Sequence, residues 1–229
     1  MFRYEMHLHC SEVSKCGNST AEEFVKKYAE LGFAGVVFTD HFIHGNTAIP
    51  RDLEWKERMY AYFSPYDEAK RLGKELGIDV IIGFEHAYGS GKEVLVYGDI
   101  TPEILAAHPE IEKMDIKSFI EFCHKNGWFV AQAHPYRQRG YIDMSIPPIP
   151  DLVDGIEVYN HFNTADENIK ATELCEKNSL IAISGSDTHN VAVCGNAGVA
   201  FDKRVANGKE LAKALFENKF KLIINGEIV

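Results

Sequence analysis

Two histidines, His7 and His9, stand on either side of one leucine in the run "YEMHLHC" near the start of the chain. On a strand, residues two apart project from the same face. Two imidazoles side by side repel when protonated and satisfy few hydrogen bonds when buried and neutral. A metal ion rewards the arrangement, because both rings can chelate it. The same residue types return in short clusters further on. Asp40 and His41 close "VVFTDH", Glu85 lies in "IGFEH", His134 in "VAQAHP", and Asp187 with His189 in "ISGSDTH". All are imidazole or carboxylate, the donor set that suits Zn, Mn or Fe. One histidine near a strand end is more often an ordinary core or surface residue. The joint pattern, repeated at the ends of successive apolar runs, points to a metal site.

The chain contains its own control. "AHP" occurs at Ala107–Pro109 and again at Ala133–Pro135. The first follows the helical run "PEILA", so His108 ends a helix. The second follows the apolar run "WFVAQ", which places His134 at a strand end. His124 falls within a helical segment. His44, His86 and His161 read first as ordinary core or surface residues, though they lie close enough to the candidate ligands to be neighbours or substrate contacts.

The elements that must position these groups alternate. Apolar β-type runs are "YEMHLH", "GVVFTDH", "DVIIGFEH", "EVLVYG", "WFVAQAHP", "GIEVYN", "LIAISGSDTH" and "FKLIIN". Helical segments with start signals separate most of them. Thr20 with Glu23 and Thr164 with Glu167 read as capping boxes, and Thr101–Pro102 as an N-cap with proline at the first helical position. Gly32, Gly73 and Gly77 sit where helices stop. Strands alternating with helices predict a parallel sheet. Polar ends on so many strands favour closure into a β/α barrel, whose site lies at the C-terminal strand ends. No GxGxxG follows the first strand and no GxxxxGK[ST] occurs, so a nucleotide-phosphate loop is not expected.

Size and composition agree. At 229 residues and 45% apolar content, one globular domain over 1–229 is expected. The formal charge of −10 argues against polymeric nucleic acid held on a basic face. It leaves room for a small anion at a cation cluster. Five scattered cysteines without a CxxC pair predict free thiols and a cytoplasmic setting. No signal peptide and no membrane-spanning run is read. Oligomeric state is not readable.

Taken in order, "EMHLH", "VVFTDH", "IGFE", "VAQAHPYR", "IEVYN" and "ISGSDTH" resemble the PHP family, named for a polymerase-associated domain and histidinol phosphatases. The resemblance runs over essentially the whole chain. It implies a distorted (β/α)7 barrel, TIM-barrel-like, holding two to three divalent metal ions (Zn, Mn or Fe) and acting as a metal-dependent phosphoesterase. Carried over by position, His7, His9, Glu85 and Asp187 would hold one metal. Glu85 would bridge to a second, also bound by His134. His41 and His189 would hold a third, with Asp40 beside them. The chain departs from the pattern twice. Where the family often has Asp or His after HxH, this chain offers Ser14, Lys15 and Cys16. Cys16 would be a thiolate ligand, or Lys15 would pair with phosphate. Where the family often has a histidine on the strand after "GFE", this chain has Glu93.

The expected reaction is hydrolysis of a small phosphomonoester, histidinol-phosphatase-like, by in-line attack of a metal-bound hydroxide on phosphorus. Glu85 would set the metal separation, and His189 or His41, if not committed to metal, would protonate the leaving oxygen. Arg137 and Arg139, just after "AHPY", would grip phosphate oxygens with forked donors. Two other readings compete. One is an amidohydrolase-type barrel, which also opens on HxH. The other is a non-catalytic, regulatory metal-binding barrel.

Overall fold

The computed structural model describes all 229 residues. Its strands are β1 (Phe2–Glu5), β2 (Gly35–Phe38), β3 (Asp79–Ile82), β4 (Phe84–Gly89), β5 (Lys92–Tyr97), β6 (Phe129–Gln132), β7 (Gly155–Asn160), β8 (Ile181–Gly185), β9 (Ala197–Phe201), β10 (Phe220–Ile224) and β11 (Glu227–Ile228). The helices are α1 (Ala21–Glu30), α2 (Trp55–Phe63), α3 (Tyr66–Leu76), α4 (Pro102–Ala106), α5 (Ile116–Lys125), α6 (Ala165–Lys177) and α7 (Gly208–Glu217).

The helices begin where the sequence chemistry says. Thr20 and Thr164 each accept from the backbone three residues on, while Glu23 and Glu167 close the capping boxes. Thr101 caps α4 ahead of Pro102, and α3 ends on Gly77 in the left-handed region at φ 73°.

The fold is mixed α/β, but its strands lie in two sheets and not in the expected ring of parallel units. One sheet runs β11-β10-β9-β1-β2-β3 and the other β4-β5-β6-β7-β8. The run "DVIIGFEH" divides at Gly83, so β3 and β4 fall in different sheets. A tight turn joins β4 to β5, which forces that pair antiparallel. Strand β9, unseen in the Gly-rich stretch after "DTHNVAVCGN", runs antiparallel to β1. Gly198 makes that pairing possible: it sits at φ 134°, and a Cβ there would lie 2.1 Å from the Tyr4 carbonyl oxygen.

The sheets share one interior. Tyr4, Val37 and Ile81 from the first pack with Leu95, Phe129, Ala131 and Ile183 from the second, and Leu211 and Leu215 of α7 join the same cluster. At the C-terminal ends of β1, β2 and β8 the sheets touch through two isolated bridges, His41 to Glu85 and Leu8 to Thr188. Those bridges bring together the histidine and carboxylate runs. No helix is long and apolar enough to cross a membrane.

Candidate metal centre

Strand β1 ends at Glu5, so His7 and His9 lie just beyond it. The chain continues extended because both its edges are held. His9 N–H donates to Thr188 O (2.9 Å), Thr39 N–H to Leu8 O (3.1 Å), and Leu8 N–H to Thr39 Oγ1 (3.1 Å). Alternation then buries Leu8 and sets both imidazoles on one side, with their Nε2 atoms 3.1 Å apart.

Glu85 is the centre of the arrangement. Its Oε1 lies 3.3 Å from His7 Nε2 and 3.1 Å from His134 Nε2, and its Oε2 lies 2.8 Å from His41 Nδ1 and 3.6 Å from His9 Nε2. Asp187 faces the same pair of rings, its Oδ1 3.2 Å from His9 Nε2 and 3.5 Å from His7 Nε2. Glu93 stands beside Glu85, 3.3 Å from His41 Nδ1 and 3.6 Å from His134 Nε2. Tetrahedral ligands at the usual Zn–N distance lie roughly 3.3 Å apart, so these spacings fit donors around an ion. One atom adds to the fit. His41 Nδ1 is buried and makes no hydrogen bond, although Glu85 Oε2 is close.

The surrounding shell fixes which ring nitrogen each histidine offers. His7 Nδ1 bonds Glu157 Oε1 (2.8 Å), and His189 Nδ1 bonds the Asp187 carbonyl (2.8 Å). A carboxylate and a carbonyl only accept, so both Nδ1 atoms carry a proton and Nε2 is the nitrogen left to ligate an ion. The Ser14 hydroxyl donates to Asp40 Oδ1 (2.6 Å), which leaves its oxygen to accept from His9 Nδ1 at 3.4 Å. Glu157 also accepts from His134 N–H (2.9 Å) and Asn160 Nδ2 (3.0 Å). Across the site, Glu5 Oε1 takes the backbone N–H groups of Met6, His7 and Ser186, tying the His7 and Asp187 segments together. His134 and Asp187 are both held at positive φ, 27° and 53°, which no glycine relieves. Such backbone costs of order 1–3 kcal/mol each and persists where the surroundings over-determine it.

The charges of the site favour a cation. Burial would keep Glu85 and Asp187 neutral, but His41 and His7 beside Glu85, and His7 and Arg137 beside Asp187, hold both well below the usual carboxylate range. Burial opposes a proton on His7 and His41, yet Asp187, Glu157 and Glu85 raise the pKa of His7, and Glu85 that of His41. Burial and the neighbouring His41 push His9 down to about 3. The carboxylates thus draw positive charge into a buried space, a field that a divalent cation satisfies.

Cys16 joins the group. It lies with His9, His41 and His189 in one cluster whose ligand atoms are all within 4.8 Å of one another. Burial raises its thiol pKa, but the neighbouring His189 and His41 rings bring it down to about 7. A cavity of about 520 Å³ opens over the cluster, lined by Cys16, His41, Glu85, Glu93, Asp187 and His189 and rimmed by His44 and Tyr141.

Four candidates are placed differently from the sequence expectation. Asp40 belongs to none of the clusters. Its two oxygens are taken by Cys10 N and Sγ, Ser14 and Tyr66, so it folds the Cys10–Ser14 turn and faces no ligand nitrogen. Arg137 reaches the cavity, but its nitrogens are spent on Asn163 (2.9 Å), Asp187 (2.5 Å) and Asn160 (2.7 Å). Arg139 turns to Glu167 and the Phe162 carbonyl, away from the cavity lining. Lys15 is exposed beside Cys16 and does not line the cavity. His86 faces the other side of β4 and stacks on Phe119, and His44 bonds the Glu112 carbonyl. His108 and His124 pair with Glu110 and Asp154, away from the site.

Sequence reasoning passed over Glu157, although a lone acid inside the apolar run "GIEVYN" was its signal. It named Glu93 without placing it among the ligands. Strand β5 runs antiparallel to β4 and β6, so its beginning, not its end, reaches the mouth.

Fold and site together define a PHP-type metal-binding protein. The chain belongs to the PHP domain family, whose model matches residues 5–228. Among solved structures, it is similar to a two-domain protein from Bacteroides vulgatus ATCC 8482 containing a predicted PHP-like metal-dependent phosphoesterase. That match has a TM-score of 0.72 at 17% identity and covers 99% of this chain, which spans 66% of that protein's length. A protein from Bifidobacterium adolescentis ATCC 15703, predicted to be a metal-dependent phosphoesterase, matches with a TM-score of 0.57 at 15% identity, over 94% of this chain and 96% of its own. An amidohydrolase from Chromobacterium violaceum with bound sulfate and no metal matches with a TM-score of 0.53 at 16% identity, over 82% of this chain and 87% of its own. At these identities the structural likeness concerns the fold. No curated protein sequence matches the chain.

Proposed function

We propose that this chain is a metal-dependent phosphoesterase acting on a small phosphomonoester, with two to three divalent ions held where the ends of the two sheets meet. Glu85 carries the reading: one buried carboxylate lies within 3.6 Å of ring nitrogens from His7, His9, His41 and His134. A carboxylate surrounded in this way suits a bridging ligand. In this reading His7, His9, Glu85 and Asp187 hold one ion, Glu85 and His134 a second, and His41, His189 and Cys16 a third. When bound, such ions supply a nucleophile at neutral pH and neutralise charge on the phosphoryl oxygens.

The chain's own residues do the rest. His189, whose side chain is 28% exposed, faces the cavity, and where it is not committed to an ion it would hold a proton for the leaving oxygen. The Glu157 and Asn160 network keeps His7 and His134 oriented, and Arg137 orients Asp187. Lys15 is exposed next to Cys16 but outside the cavity lining, so it would meet an incoming phosphate only on its approach. Unpaired cysteines suit a reducing cytoplasm, and the net charge of −10 argues for a small substrate over nucleic acid. The fold likeness to an amidohydrolase supports a second, weaker reading, hydrolysis of a non-phosphate substrate at the same centre.

The test is hydrolysis of para-nitrophenyl phosphate by chelated and metal-reconstituted protein, beside Glu85→Gln. Turnover should need metal and nearly vanish in the variant, with the circular dichroism spectrum unchanged. A metal-loaded wild type that is inactive on phosphate esters but hydrolyses an amide or lactone would transfer the assignment to the second reading.

A further inference from the structure

The ligand groups are chemically unequal. On one side Cys16 stands with His9, His41 and His189. His9 is drawn the other way, since its Nε2 faces His7, Glu85 and Asp187 and its Nδ1 faces Ser14. His189 has its Nδ1 proton on the Asp187 carbonyl, which leaves Nε2 as a lone-pair donor beside the thiol. A thiolate with imidazoles and a side open to the cavity is the donor set of a zinc site that keeps one position free.

On the other side two carboxylates lie together with an imidazole at each end. His134 Nε2 meets Glu85 Oε1 at 3.1 Å and Glu93 Oε2 at 3.6 Å. His41 Nδ1 meets Glu85 Oε2 at 2.8 Å and Glu93 Oε1 at 3.3 Å. That set is oxygen-rich and has no sulfur, which suits Mn or Fe(II). His41 is common to both groups, and its buried Nδ1 has no hydrogen bond. What separates the two pockets is therefore Cys16 in one and Glu93 in the other.

We propose that the cluster is heterometallic: a soft pocket built on Cys16 takes zinc, and a hard pocket built on Glu93 takes manganese or ferrous iron. The proposal rests on the reading that the centre binds metal, but not on its turning over a phosphate ester. Affinity alone favours zinc over manganese at nearly any site of this kind, so discrimination comes from donor type. The thiolate widens zinc's advantage in one pocket, and the paired carboxylates narrow it in the other.

The experiment measures metal content, not activity. Chelated protein is incubated with one equivalent of zinc and excess manganese, desalted, and analysed by element. Wild type should retain about one equivalent of zinc together with manganese. Cys16→Ser should raise the zinc dissociation constant by at least the 10–100-fold that even outer partners of a site carry, and keep manganese. Glu93→Gln should lose manganese and keep zinc. Cobalt substitution gives a direct readout: a sulfur-to-cobalt charge-transfer band should appear in wild type and Glu93→Gln and be missing in Cys16→Ser. Equal loss of both ions in each variant, or no sulfur band in wild type, would overturn the division. Retained ions in the predicted pattern without phosphatase activity would overturn the proposed function alone. A wild type that takes up no ion would overturn both.

Discussion

His7 Nδ1 lies 2.8 Å from Glu157 Oε1, and this contact turns the other ring nitrogen, Nε2, toward His9, Glu85 and Asp187. The partners are 150 residues apart in the chain, and both side chains are fully buried. A carboxylate in that place fixes the tautomer and makes the imidazole a better electron donor.

Glu157→Gln should therefore lower metal affinity by about 10–100-fold while leaving the fold intact. Competition with a fluorescent chelator measures it. Unchanged affinity would mean that His7 is oriented by its neighbours in the cluster and not by Glu157.

Gly185 lies under the same contact. A Cβ there would be 2.5 Å from His7 Cβ and 2.6 Å from Glu157 Oε1. Gly185→Ala should displace one partner and weaken metal binding to a similar degree. The two substitutions act on one contact, so Gly185→Ala with Glu157→Gln should cost less than the sum of the single changes. Strict additivity in the same chelator assay would show that they act separately.

Arg137 and Asp187 form a buried ion pair, with Asn160 and Asn163 on the remaining guanidinium nitrogens. Removing one partner of such a pair costs about 3–5 kcal/mol, because the other charge is left buried alone. Arg137→Ala should show that loss in urea unfolding of the chelated protein. The loss should shrink when the protein is metal-loaded, since an ion then supplies the charge Asp187 needs. If Arg137 served mainly to bind phosphate, the variant would raise the Michaelis constant and leave stability unchanged.

At high pH the Tyr4 hydroxyl should matter. Burial pushes its pKa up to about 12, and it accepts from Val205 N–H while lying 3.3 Å from Asp79. The unfolded chain releases this proton near pH 10, so between pH 10 and 12 the folded state holds more protons. Stability should fall as pH rises through that window, by up to about 1.4 kcal/mol per unit from this group. Tyr4→Phe should flatten the slope and cost roughly 1–2 kcal/mol at neutral pH, because Val205 N–H loses its acceptor. Urea midpoints at pH 8, 10 and 11 decide it. Buried Tyr28 and Tyr97, also raised by burial, keep part of the slope in the variant.

Local chemistry wrote much of this protein into its sequence. The capping pairs Thr20 with Glu23 and Thr164 with Glu167 start helices because each motif satisfies its own backbone groups. The strand-end clusters announced His7, His9, His41, Glu85, His134, Asp187 and His189 because period two and apolar runs need no distant partner to be read. Tertiary structure decided what those residues could not decide for themselves. Asp40, one residue before His41, turned inward because Cys10, Ser14 and Tyr66 supply the donors its carboxylate needs. Arg137 became the partner of Asp187 because the path between β6 and β7 brings them together. Glu93 came to the candidate centre because a hairpin reversed β5, and Glu157 because β7 carries it to His7 Nδ1. In each case side-chain type was local, but direction depended on which strand the chain laid alongside, and that follows from burying the shared core between two sheets.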